Sequence, residues 1–222
     1  MMQHPQPPAP SPQPLILASR SPRRRELLAE AGYHFEVMPP DEDVECGVCS
    51  ESGPAGLVAE LAYRKAAAII RQLERGTSIR GRRRPGSPAP IILAADTVAE
   101  CDGFVLGKPP NEAEARAMIE QLSGREHRVL TGVCLWRFGD PQPLVRVAVT
   151  RLRMDHLTQQ QLDEYLASGA WEGKAGSFGY QDRLGWVHIV EGSESNVVGL
   201  PMELLAKMLT ELAASGEERG AR

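Results

Sequence analysis

The sequence predicts an α/β protein whose sheet is partly antiparallel, and three observations carry that expectation. Short apolar runs end at turn signals and feed helix starts near the beginning of the chain; a long segment with apolar spacing of three and four follows. Two β-branched segments, HRVLTGVCLWRF and LVRVAVTRLRM, are then separated by GDPQP and read as a hairpin or meander. Helices and strands are mixed, and there is no internal repeat.

Residues 1–14 are rich in Pro and Gln without apolar periodicity and read as a tail. LILAS opens the fold as a strand. SPRRRELLAEAG supplies a helix with its start at Ser21, Pro22 at the first helical position and Gly32 at its end. FEV is a second short strand leading into the acidic loop DEDVECG, after which a helix is expected from about Ala55 to Glu74. The stretch 76–90 contains RGRRRPGSPAP, whose Arg, Gly and Pro content marks an exposed insertion. IILAADTVAE resumes as a buried strand and turns at Asp102-Gly103 into FVLGKP; an amphipathic helix starts near Asn111 and ends before Gly124. After the β-branched pair come the helix TQQQLDEYLASG, a Gly-rich segment, the strand WVHIVEG and a C-terminal helix through MELLAKMLTELAA. One domain over 15–215, with two lobes and a second tail at 216–222, is the expected organisation.

Composition bounds the function. The 222 residues are 42% hydrophobic and 24% charged, which is ordinary for a globular chain. With 25 basic and 29 acidic side chains the net charge is -4, so the molecule as a whole does not attract nucleic acid or anionic membrane, and any anion site must be local. No run approaches the roughly 18 apolar residues of a membrane span, and the opening residues lack the apolar stretch of a signal peptide. Cytoplasmic residence follows as an expectation, without nucleic-acid or membrane partners. A nucleic-acid patch at RGRRRPG is less favoured than a solvated loop. Cys46 and Cys49 form one CxxC, but a zinc site wants a second pair, so a loop with two thiols is the better reading.

The first chemical constellation is Ser19, Arg20, Ser21, Arg23, Arg24 and Arg25 around a strand-to-helix turn. Helix amides and dipole favour phosphate there, and hydroxyl and guanidinium groups add charge-assisted bonds. A capped helix with exposed arginines is the competing account. Asp96, read as the end of a buried strand run, needs a cation or metal partner, and Glu42 in the acidic loop is a weaker candidate to join it. Lys65 lies within a helix, Lys108 in GKPP and Lys174 in EGKAG, where rigid flanks suit a cation aimed at phosphate. His127 in GREHRV reads as a general acid, a phosphate contact or a hydrogen-bonded structural histidine. P-loop, HExxH and GxSxG motifs are all missing.

Five segments in order, LILASRSPRRRELLAEAG, LAADTVAECDGFVLGKP, LSGREHRVLTGV, EGKAGSFGYQ and EGSESNVVGLP, resemble the Maf family and extend from Leu15 to the C-terminal helix. The resemblance implies an inosine-triphosphatase-like α/β fold, a mixed sheet with helices in two lobes around a central cleft. It also implies hydrolysis of nucleoside triphosphates to monophosphate and pyrophosphate with a divalent metal, Mg²⁺ or Mn²⁺. Carried over by motif, Ser19, Ser21, Arg23 and Arg24 would grip phosphates and Lys174 would bind substrate. Asp96, Lys65 and Lys108 would be catalytic, and Asp96 with Glu42 would hold the metal. Arg23, Thr97 and Gln181 match the dTTP and UTP branch, whereas AGSF stands where that branch more often has AGAY. The alternatives are a 7-methyl-GTP or modified-nucleotide pyrophosphatase and a non-hydrolytic nucleotide-binding regulator of septum formation. Oligomeric state stays open, a homodimer included.

Overall fold

The computed structural model describes residues 13–41, 44, 52–76, 88–182 and 185–220. The element order is β1 (Leu15–Leu17), α1 (Pro22–Glu30), β2 (Phe35–Val37), α2 (Gly53–Glu74), β3 (Ile91–Cys101), β4 (Phe104–Leu106), α3 (Glu112–Leu122), β5 (Glu126–Arg137), β6 (Leu144–Met154), α4 (Gln159–Ala167), β7 (Val187–Glu191), α5 (Glu194–Val198) and α6 (Met202–Gly220). The seven strands form one mixed sheet in the order β2-β1-β3-β5-β6-β7, with β4 paired to β3. β1 runs parallel to β2 and β3, while β3, β5, β6 and β7 are successively antiparallel. The expected α/β class with a partly antiparallel sheet is the observed one.

Local chemistry explains most boundaries. Ser21 caps α1 with Pro22 next to it. Asn111 caps α3, and Thr158 with Gln161 forms a capping box at α4. Asp102 and Gly103 both take positive φ, 52° and 86°, the geometry of a tight hairpin turn between β3 and β4. Two boundaries differ from expectation. β3 continues past Asp96 to Cys101, so Asp96 is an interior residue of a long strand, because TVAEC keeps the β-compatible apolar pattern up to the turn. α6 continues beyond 215 to Gly220, since EER extends the helix-favouring composition. Residues 1–12 of the expected tail 1–14, the RGRRRPG stretch, Cys46, Cys49 and Glu42 lie outside the described residues.

Strand alternation divides the core. Ile92 and Ala94 of β3 pack with Ala62, Ala66 and Ile69 of α2 on one face. Leu93 and Ala95 pack with Leu28 of α1 and Leu205 of α6 on the other. Beyond this, Ala99, Cys101, Ile119, Leu152, Tyr165 and Phe178 form a third cluster under α3 and α4. Among the described residues no helix is long and apolar enough to cross a membrane.

Candidate active site

The register of β1 with β3 sets Leu17 beside Leu93, and the Ala18 N–H extends the pairing to the Leu93 carbonyl at 2.8 Å. Ser19 is thereby delivered to the Ala95-Asp96 step. Its hydroxyl accepts from the Ser21 N–H at 3.2 Å, and the Ser21 hydroxyl accepts from the Arg24 N–H at 3.5 Å. This capped helix start lines a cavity of about 580 Å³ with Ser19, Arg20, Ser21, Arg23 and Arg24. A helix N-terminus with arginines beside it attracts anions.

Asp96 and Thr97 enter the same cavity from opposite faces of β3. Asp96 follows Ile92 and Ala94 onto the α2 face, where the Lys65 Nζ lies 2.6 Å from its Oδ1. The two side chains are only 7% and 12% exposed, so each needs the other: a secluded charge without a counter-charge is strongly unfavourable. Thr97 faces α1 and the turn after α5, with its hydroxyl 3.1 Å from an Arg24 guanidinium nitrogen. Lys108 is exposed on the cavity wall, and the preceding Gly107 carbonyl accepts from the Gly176 N–H at 3.0 Å, joining two turns of the wall.

Lys174 is buried and does not itself line the cavity, although Gly173 and Ala175 on either side of it do. Its ammonium is ion-paired with Asp182, a residue that sequence reasoning did not select. Burial lowers the Lys174 pKa, the Asp182 carboxylate opposes that, and the positive charge of Arg23 adds to it. A side chain at Gly179 would lie 2.5 Å from the Lys174 Nζ, so glycine is what leaves room for the pair. Gln181 has its backbone in the short 3-10 turn Tyr180–Asp182.

His127 does not line the cavity. It is 3% exposed on β5 and meets Phe178, a cavity-lining residue, edge to face with ring centroids 5.2 Å apart. Neither ring nitrogen has a hydrogen-bond partner of good geometry among the described residues, and strand alternation turns His127 inward beside an aromatic ring. Burial is the main force pulling its pKa from 6.5 down to about 4, partly offset by the Arg125 carbonyl and the Glu100 charge. Between these two pH values the unfolded chain takes up a proton that the folded chain refuses. Stability should therefore be complete above pH 6.5 and fall as pH drops towards 4, by about 3 kcal/mol at the limit. Urea unfolding of His127→Leu against the parent between pH 7 and pH 4.5 checks this. The parent should lose more stability than the variant across that range, and equal losses would refute it.

Sequence reasoning also passed over Asp41, Glu172 and Phe178, which line the cavity, and Gly132, the direct β5 partner of Asp96. Asp41 was legible as part of an acidic loop, and Phe178 as the aromatic in AGSF. Among the described residues no three His, Cys, Asp or Glu side chains cluster as a metal site. Carboxylate oxygens are nonetheless the donors that Mg²⁺ or Mn²⁺ takes, and Asp96 and Asp41 offer them in one cavity.

The family described as Maf-like protein matches residues 14–212. A dTTP/UTP pyrophosphatase of Rhodopirellula baltica is 49% identical over 211 residues, covering 95% of this chain and 87% of its own. One of the same description from Symbiobacterium thermophilum is 44% identical over 90% of this chain and 94% of its own. Among solved structures, a HAM1 protein from Coxiella burnetii aligns with 90% of this chain and 99% of its own at a TM-score of 0.46 and 19% identity.

Proposed function

The chain belongs to the Maf family, and on that premise we propose that it hydrolyses nucleoside triphosphates to nucleoside monophosphate and pyrophosphate, with dTTP and UTP as preferred substrates. The observation that carries this reading is the Lys65–Asp96 ion pair on the wall of a cavity that also holds the arginine-bearing start of α1. A triphosphate with its phosphates at the helix start brings its α phosphorus towards Asp96. Asp96 then orients a water and takes its proton as the water oxygen bonds to that phosphorus. The bond from the α phosphorus to the bridging oxygen breaks, and pyrophosphate leaves with the electron pair. Lys65 holds the Asp96 carboxylate in place, while Arg23 and Lys108 offset negative charge on the phosphate oxygens. A divalent cation, Mg²⁺ or Mn²⁺, would be held by Asp96 with Glu42 and would neutralise part of the triphosphate charge when bound.

The preference for pyrimidines is supported by the names of the relatives and by Arg23, Thr97 and Gln181, which resemble that branch. Gln181 carries an amide able both to donate to and accept from a uracil edge. An unpaired hydrogen-bonding edge lowers selectivity-determining binding by about 1 to 3 kcal/mol, so UTP and dTTP should exceed purine triphosphates and 7-methyl-GTP about tenfold or more in kcat/KM. A screen of common and modified triphosphates with Mg²⁺ and with Mn²⁺, quantifying monophosphate and pyrophosphate, tests both claims. A higher kcat/KM for 7-methyl-GTP than for UTP would overturn the substrate assignment. Binding without any turnover would overturn hydrolysis itself.

A further inference from the structure

The SPRR motif assigns both arginines to the phosphates alike, but their surroundings are different. Both line the cavity, but Arg23 makes no side-chain hydrogen bond among the described residues. Arg24 is 9% exposed, and its Nε donates to the Gly199 carbonyl at 2.8 Å. Its Nη1 donates to the Ser19 hydroxyl at 3.1 Å and its Nη2 to the Thr97 hydroxyl at 3.1 Å. A guanidinium has five N–H donors in a rigid planar fork, so bonds from all three nitrogens fix its orientation completely. Turning that fork to face a phosphate bidentately would break bonds to three separate elements.

The bonds continue beyond Arg24. The Thr97 hydroxyl lies 3.0 Å from that of Thr131 on β5, which donates to the Asn196 carbonyl at 3.3 Å. Asn196, fully buried, donates through its Nδ2 to the Val129 carbonyl at 3.1 Å and the Thr150 hydroxyl at 2.9 Å. Gly199 presents its carbonyl to Arg24 from a backbone at φ 120°, which an L side chain rarely adopts. The network thus spans the anion-binding turn, the strand position next to Asp96, and the α5 segment.

We infer that Arg24 is a positioning residue: it locks Ser19, Thr97 and the turn after α5 into one frame that holds Asp96 in line with the anion site, while Arg23 meets the phosphates. The inference deepens the hydrolase reading above and rests on it. Effects on kcat and on ligand affinity separate the two arginines, because a group that acts only through geometry changes the chemical step without changing ground-state binding.

The variants are Arg24→Lys, Arg24→Met, Arg23→Met and Thr97→Val. They are measured for UTP turnover, for affinity to inorganic pyrophosphate with Mg²⁺, and for melting temperature. Arg24→Met and Arg24→Lys should lower kcat about tenfold or more while pyrophosphate affinity stays within about threefold; Arg23→Met should weaken that affinity about tenfold. Adding Thr97→Val to Arg24→Met should cost less than the sum of the single changes, as expected for residues in one network. Loss of pyrophosphate affinity in both Arg24 variants would make Arg24 a phosphate ligand and overturn the inference. A lower melting temperature with unchanged kcat per folded molecule would make its role structural only and overturn it equally. If Arg24→Met does not fold, Arg24→Lys decides, since it keeps the charge and loses the three-way fork. Should the parent protein hydrolyse no triphosphate, the hydrolase reading fails, and the pyrophosphate measurement still decides whether Arg24 is a ligand.

Discussion

Replacing Asp96 with Asn is expected to lower kcat for UTP by about a hundredfold to ten-thousandfold, the range a positioned general base contributes. The substitution keeps the shape and an oxygen able to accept from Lys65, while removing the charge and the proton acceptor. It also leaves Lys65, a residue only 6% exposed, without its counter-ion. Breaking one half of a secluded pair destabilises by about 3 to 5 kcal/mol, so turnover must be read per folded molecule. The double variant Asp96→Asn with Lys65→Met should recover part of that stability and none of the activity. Stability and activity would then move in opposite directions between single and double variants, an outcome that general misfolding does not produce. Retention of more than about a tenth of parental kcat by folded Asp96→Asn would remove Asp96 from the chemistry.

The parts of this site that were legible in the sequence are those fixed by neighbours along the chain. Ser21 before Pro22 marks a helix start because the hydroxyl satisfies a free N–H and proline needs none. Asp102-Gly103 marks a hairpin because both positions must take positive φ. Long-range pairings were not legible. Lys65 and Asp96 were both candidates, yet only the packing of α2 on the even-numbered face of β3 makes them partners. Arg24 finds its Gly199 acceptor 175 residues along the chain, and nothing local distinguishes it from Arg23. His127 was ambiguous for a similar reason, since a histidine in a strand becomes wall, ligand or core according to what covers that face. The five-residue α5 was missed because ESNVV is too short for a periodic signal.

The second large effect is expected at Gly132, a residue with no chemistry of its own. It sits opposite Asp96 in the β3–β5 register, on the face covered by α2. A Cβ added there would lie 2.2 Å from the Val58 carbonyl oxygen, 2.4 Å from the Val58 carbonyl carbon and 2.8 Å from the Ala59 nitrogen. All three are helix backbone atoms, which cannot rotate aside as a side-chain tip does. Gly132→Ala must therefore push α2 off the sheet by about 1 Å, and overpacking of this kind destabilises by roughly 1 to 3 kcal/mol. Because α2 also carries Lys65, the displacement misplaces the ammonium against Asp96, and an error of about 1 Å at a reacting group lowers turnover by about a hundredfold. Urea unfolding and UTP turnover of Gly132→Ala measure the two consequences together. Gly107→Ala, where an added Cβ meets nothing within 4 Å, is the stability control and should unfold with the parent. If Gly132→Ala instead matches the parent in both stability and turnover, close contact between α2 and β5 is not what holds Lys65 against Asp96.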